Sequence, residues 1–147
     1  MALDFDRSIL GKVFDETDFA PVTKEDISKF CQALGETNPL FTNEDVAADG
    51  PYGGVVAPPT YVTRLRPNKM TPEHMPRLGK VGFDGGRDVE IFSPVRPGDT
   101  LKMVSKIHDV YEKTGRSGSM YFIVLRNIIT NQDGVEVAIV DHRIMQR

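Results

Sequence analysis

Residues 35–41 read Gly-Glu-Thr-Asn-Pro-Leu-Phe. A carboxylate at Glu36 and an amide at Asn38, just before the bend at Pro39, could hold a water and take its proton, which is the work of a general base. The stretch ends in Phe41, a phenyl ring that can neither accept nor release a proton. Other titratable groups are scattered. His74 sits in the proline-rich run Thr-Pro-Glu-His-Met-Pro-Arg and is expected to be solvated. His108 falls on the polar face of a strand. His142 shares a strand face with Val140 and Ile144, as a hydrogen-bonded structural histidine would. Cys31 lies in an apolar helical stripe and reads as a small buried hydrophobe rather than a nucleophile. No His/carboxylate pair has ligand spacing, so no metal is expected. The glycines at 53, 54, 85 and 86 form no phosphate loop. Gly53 and Gly54 read as allowing close approach of the backbone to a ligand or to a neighbouring strand.

The elements that must position these groups fall into two textures. Up to about residue 82 the chain is rich in helix starts, prolines and glycines; from 83 to 147 it reads as strands and turns. Thr23 with Asp26 three residues on forms a capping-box pattern, and Gly35 is a natural stop. Between them, Ile27, Phe30, Cys31 and Leu34 share one helical face. Asn43 caps a second short helix ended by Gly50. A third begins near Pro58 and is closed by Pro67; it is the expected central helix, because the preceding run is almost uncharged. In the second half, 101–111 alternates, with Leu101, Met103, Ile107 and Tyr111 on one face. Residues 120–130 are apolar on both faces, and 135–145 form another strand. Glycine-bearing connections make these three strands consecutive and antiparallel. With one or two strands before them, the expectation is an α+β domain, a curved antiparallel sheet wrapped around a helix.

The 147 residues suit a single domain, taken as 1–147, able to fold without disulfides or metal. One cysteine allows no intrachain disulfide. A net charge of −3 argues against a nucleic-acid binder. The acidic N-terminus and the lack of a long apolar run predict neither a signal peptide nor a membrane span, and hence a cytoplasmic protein.

The run 35–61, Gly-Glu-Thr-Asn-Pro-Leu-Phe through Ala-Pro-Pro-Thr-Tyr, followed by Pro-Val-Arg-Pro-Gly-Asp-Thr-Leu and Ile-Thr-Asn-Gln-Asp-Gly, resembles the MaoC-like dehydratases of the hot-dog fold. The likeness is greatest to the N-terminal-type half of two-part members, and it runs from about Gly11 to Arg143. In active members the loop reads Asp-x-Asn-Pro-x-His, and the Asp and His together add water across, or remove it to form, the double bond of an enoyl thioester. Carried over, Glu36 stands at the Asp position, Asn38 and Pro39 match, and Phe41 stands where the His belongs. The resemblance also implies a backbone N–H at the central helix start that polarises the thioester carbonyl; here Pro58 occupies that position and has no N–H. Thr60 is the first downstream residue that could offer one.

The implied function is a non-catalytic, acyl-thioester-binding subunit of an (R)-specific enoyl-CoA hydratase or 3-hydroxyacyl dehydratase. Its ligand is acyl-CoA or an acyl carrier protein thioester, and it needs no cofactor. It would pair as a homo- or heterodimer with a catalytic MaoC-like chain. Phe41, Tyr52, Gly53, Gly54, Val55, Val56, Ala57 and Thr60 are the expected substrate-binding residues, with Glu36 and Asn38 as candidates for any residual catalysis. Two alternatives stand beside it: a self-sufficient hydratase or thioesterase using Glu36, and an acyl-CoA-binding module without catalysis. From Tyr61 to Arg87, Arg64, Arg66, Lys69, Arg77, Lys80 and Arg87 face only Glu73 and Asp84, so the segment is +4 and the rest of the chain −7. Such a surface suits the phosphates of coenzyme A.

Overall fold

The computed structural model describes residues 3–147. A single five-stranded antiparallel sheet carries the chain. Its strands are β1 (Val13–Asp18), β2 (Gly82–Ile91), β3 (Lys102–Gly115), β4 (Gly118–Thr130) and β5 (Glu136–Gln146), in the spatial order β1-β3-β4-β5-β2. The three long strands expected from alternation are present as consecutive antiparallel neighbours, and the β3–β4 ladder runs down to Gly115 opposite Gly118. The earlier strands supply the two edges, β1 beside β3 and β2 beside β5.

One strand departs from simple alternation. The β3 register shifts between Ile107 and Asp109. One extra residue reverses the parity of everything beyond it. Met103, Ser105 and Ile107 are therefore buried before the bulge and Val110 after it, while Tyr111 turns to the outer face. There it stacks on Phe122 with ring centroids 5.0 Å apart. The expectation that Tyr111 shares a face with Ile107 is thus corrected. His108 is exposed at the bulge.

The inner face of the sheet is covered by the first half of the chain. Helix α1 (Lys24–Leu34) starts with the expected capping box and ends at Gly35, whose φ of 66° is the left-handed geometry that favours glycine. Ile27 and Cys31 are fully buried in one core cluster with Met103, Ile129 and Val137, whereas Leu34, in the last turn, is exposed. Short helices α2 (Pro39–Thr42) and α3 (Glu44–Ala48) follow.

The segment expected to be the central helix is instead a six-residue 3₁₀ helix, Pro59–Arg64. The prolines explain its shortness. Pro58 and Pro59 offer no N–H to start an α-helical ladder, and Pro67 biases Arg66 away from helical geometry. Tyr61 and Val62 nevertheless bury completely in the same core as α1. Beyond it, residues 66–81 cross the second half of the inner face, where Met75 and Leu78 pack on a cluster containing Ile107, Val110, Ile123 and Leu125. This crossing is stapled at both ends. Asn68 N–H donates to Thr17 Oγ1 (2.8 Å) and Asp15 Oδ2 (3.1 Å), and Leu78 N–H donates to Gln146 Oε1 (2.7 Å). Among the described residues no helix is long and apolar enough to cross a membrane.

Candidate functional site

The loop after α1 spends its polar side chains on its own backbone. Glu36 N–H donates to Cys31 O at 2.8 Å, which closes the helix end. The Glu36 carboxylate accepts from Asn38 N–H at 2.8 Å, and Asn38 Oδ1 accepts from Leu40 N–H at 3.0 Å, capping α2. Asparagine at an N-cap followed by proline at the first helical position is a strong local start signal. The result fixes the backbone of Phe41, whose N–H donates to Asn38 O and whose half-buried ring packs on the main core.

Phe41 forms part of the wall of an apolar slot of about 300 Å³. Tyr52, Val56, Ala57 and Val62 continue that wall, and Ile91 to Val95, the segment leaving β2, closes the other side. Two bonds hold the walls together. Ala57 N–H donates to Val95 O (2.8 Å), and the Arg96 guanidinium donates to Tyr52 O (2.6 Å). The residue before Pro58 thus has its N–H engaged, and Pro58 and Pro59, both in the wall, have none. No carboxylate, imidazole or amine lines the slot; its polar side chains are the hydroxyls of Tyr52 and Ser93.

A second cavity, of about 380 Å³, lies between α1 and the α2–α3 turn, and Phe41 lines it too. Glu36, Cys31, Ser28 and Val55 surround it. Glu36 therefore faces this cavity and is absent from the walls of the slot. Burial pushes the Cys31 thiol pKa up, and the negative charge of Glu36 adds to the shift.

The expected substrate-binding residues divide accordingly. Phe41, Tyr52, Val56 and Ala57 line the slot; Val55 lines the second cavity; Thr60 is exposed and lines neither. A Cβ placed on Gly53 or Gly54 would meet no protein atom within 4 Å, so no neighbouring strand demands glycine there. At Gly53 the demand is the backbone itself, with φ 67°. Of the two readings, approach to a neighbouring strand is the one the structure does not bear out. Reading the sequence missed Ile91, Phe92, Pro94 and Val95, and it missed Arg96 as the clamp on the Tyr52 loop. The signal available was an uncharged run at the end of β2 leading into Pro-Val-Arg-Pro.

The six basic residues do not converge. Arg64 donates to Tyr61 Oη (2.7 Å), lies 4.9 Å over that ring and approaches Asp26 at 4.0 Å. Burial raises the Tyr61 pKa, with the Arg64 charge opposing. Arg66 donates to Thr63 O, and Lys69 pairs with Glu73 at 3.1 Å. Arg77 is exposed and shares the lining of a separate cavity with Asp4 and Asp6. Lys80 is exposed and Arg87 half-buried on β2. None of the six lines the slot. His142 meets Asp84 at 3.2 Å, in the structural role expected, and His74 is exposed.

Comparison with known proteins fits this architecture. Residues 8–140 match the family described as FAS1-like, dehydratase domain region. A UPF0336 protein of Mycobacterium tuberculosis is 34% identical over 140 residues, covering 91% of this chain and 80% of that protein. Among solved structures, a chain of the C-terminally truncated HadBC (3R-hydroxyacyl-ACP dehydratase) complex from Mycobacterium tuberculosis superposes with a TM-score of 0.70 at 28% identity, covering 97% of this chain and 99% of that one. The MaoC-like dehydratase from Rhodospirillum rubrum gives a TM-score of 0.70 at 18% identity, covering 93% and 91%. The chain belongs to this dehydratase-domain family and has its hot-dog fold.

Proposed function

We propose that this member of the FAS1-like dehydratase domain family is the substrate-holding, non-catalytic chain of a two-chain hydro-lyase acting on enoyl or 3-hydroxyacyl thioesters. The observation that carries the reading is Phe41. An aromatic ring forms the wall of the slot where this family's chemistry needs imidazole, and no carboxylate, imidazole or amine takes its place around the slot. General acid–base hydration needs one group to deprotonate water and another to protonate carbon. This slot can bury an acyl chain, and its proton chemistry has to come from elsewhere.

The edge of the sheet points to the partner. The slot's second wall begins where β2 ends, and β2 has no neighbour on its outer side. Val89, Ile91 and Phe92 are exposed there. A second hot-dog chain pairing along β2 would cover these side chains and bring its own Asp and His to the mouth of the slot. That the HadBC structure is a complex of two chains supports this arrangement. The thiol carrier is coenzyme A or an acyl carrier protein, and the compartment is the cytoplasm. Arg64, Arg66, Lys69, Arg77, Lys80 and Arg87 are assigned to diffuse electrostatic attraction of the carrier's phosphates, since they do not form one cluster.

Reconstitution tests the reading. The chain is mixed with a catalytic MaoC-like partner and crotonyl-CoA hydration is followed. Replacing the partner's Asp or His should abolish turnover, while Glu36→Gln in this chain should leave it within about twofold. A complex that tolerates loss of the partner's pair but not of Glu36 would assign catalysis to this chain instead.

A further inference from the structure

We infer that the Phe41 ring is a movable partition between the slot and the second cavity, and that it sets the length of acyl chain this protein accepts. The inference rests on the acyl-thioester reading of the slot and assigns a specificity-determining residue within it. Two observations carry it. Phe41 is common to the walls of both cavities, one of about 300 Å³ and the other of about 380 Å³. A ring in a close-packed interior has nowhere to turn, but a half-buried ring at the wall of two cavities has room to do so. Its backbone, in contrast, is held by the Asn38-capped turn and by the Asn43 N–H bond to Pro39 O, so motion is confined to the side-chain torsions.

The neighbouring chain follows the same division. Val56 lines the slot and Val55 the second cavity, so consecutive side chains of one extended segment face the two spaces. With the ring between them, the slot alone sits at the lower end of the roughly 300–1,000 Å³ typical of ligand sites, and joining the cavities moves it well inside that range. A short acyl chain would end against the ring. A long one would turn it aside and run on past Cys31, which lines the far cavity. The rim there is polar, with Lys24 and Glu44 paired at 2.6 Å, so the continuation leads towards solvent rather than to a closed apolar end.

Cys31 is the only cysteine in the chain and so reports on that cavity alone. The test measures binding of straight-chain acyl-CoA thioesters from butyryl to palmitoyl, together with the rate of Cys31 alkylation by iodoacetamide. For the wild-type protein, long chains should slow alkylation several-fold and butyryl-CoA should leave it unchanged. Phe41→Ala should shift the preference between palmitoyl- and butyryl-CoA roughly tenfold towards the long chain, which no longer has to turn the ring aside, while butyryl-CoA loses the ring it ends against. Phe41→Leu, which keeps more of the core packing, should show the same trend at smaller size. Binding at every length with alkylation indifferent to length, or variants that shift all lengths equally, would overturn the partition and leave the acyl-binding function standing. No binding of any acyl thioester would overturn the function and the partition together.

Discussion

The two edges of the sheet are built to opposite rules. Strand β1 has six residues, three of them acids (Asp15, Glu16 and Asp18), and Lys102 pairs with Glu16 at 2.7 Å. Asp15 and Thr17 turn inward and are consumed in holding Asn68. Strand β2 has ten residues, is exposed over almost its whole length, and leaves Phe83, Val89 and Ile91 in solvent. A short acidic edge discourages pairing with another chain, and a long one that exposes Phe83, Val89 and Ile91 between charges of both signs invites it. The second rule applies on the side where the slot opens, which is why the proposed partner is placed there.

Breaking the β2 edge should have the largest effect. Val89→Asp with Ile91→Asp should weaken association with the catalytic chain by about 100-fold or more, as sedimentation of mixtures would show. Val13→Asp on β1, exposed to a similar degree, should leave association unchanged. Equal sensitivity of the two edges would end the contrast between them. The β1 side should instead answer in stability. Asp15→Ala deprives Thr17 and the Asn68 N–H of a buried acceptor and should cost about 1–3 kcal/mol in urea unfolding, with association of the folded protein intact. Thr23→Ala, which removes the α1 cap outside both edge strands, should cost about 1 kcal/mol and alter neither edge's behaviour.

The smallest effect is one of pH. Hydrogen bonds from the Thr23 hydroxyl and backbone N–H hold the Asp26 carboxyl below its ordinary pKa, with Arg64 adding to the shift. A depressed folded-state pKa stabilises the protein above the unfolded value, and the gain is lost as pH falls through the folded one. Unfolding midpoints measured from pH 6 down to pH 2 should therefore fall slightly less steeply for Asp26→Asn than for the wild type. This group is exposed, so the difference should be small.

How much of this was legible follows from the kind of information each feature needs. Period-two alternation and glycine turns placed β3, β4 and β5, and Thr23 with Asp26 placed the start of α1, because those signals are local. The bulge at His108 is a backbone irregularity with no side-chain signature, so Tyr111 was assigned to the wrong face. The turn at Pro59–Arg64 was expected to be a longer helix, because its buried Tyr61 and Val62 mark contact with the core without fixing its length. Among the residues lining the slot, Phe41, Tyr52, Val56 and Ala57 come from one contiguous run. Ile91 to Val95 come from the other half of the sequence, and only the pairing of β2 with β5 brings them opposite Val56. The division between slot and second cavity was invisible for the same reason. Glu36 and Phe41 are near neighbours in sequence, yet Glu36 stands outside the slot that Phe41 walls.

The most direct measurement is crotonyl-CoA hydration by the purified chain alone, at enzyme concentrations high enough to detect slow turnover. No rate above that of buffer is expected, together with measurable binding of the thioester. Turnover by the lone chain that Glu36→Gln abolishes would contradict this, and would make this chain a catalyst in its own right.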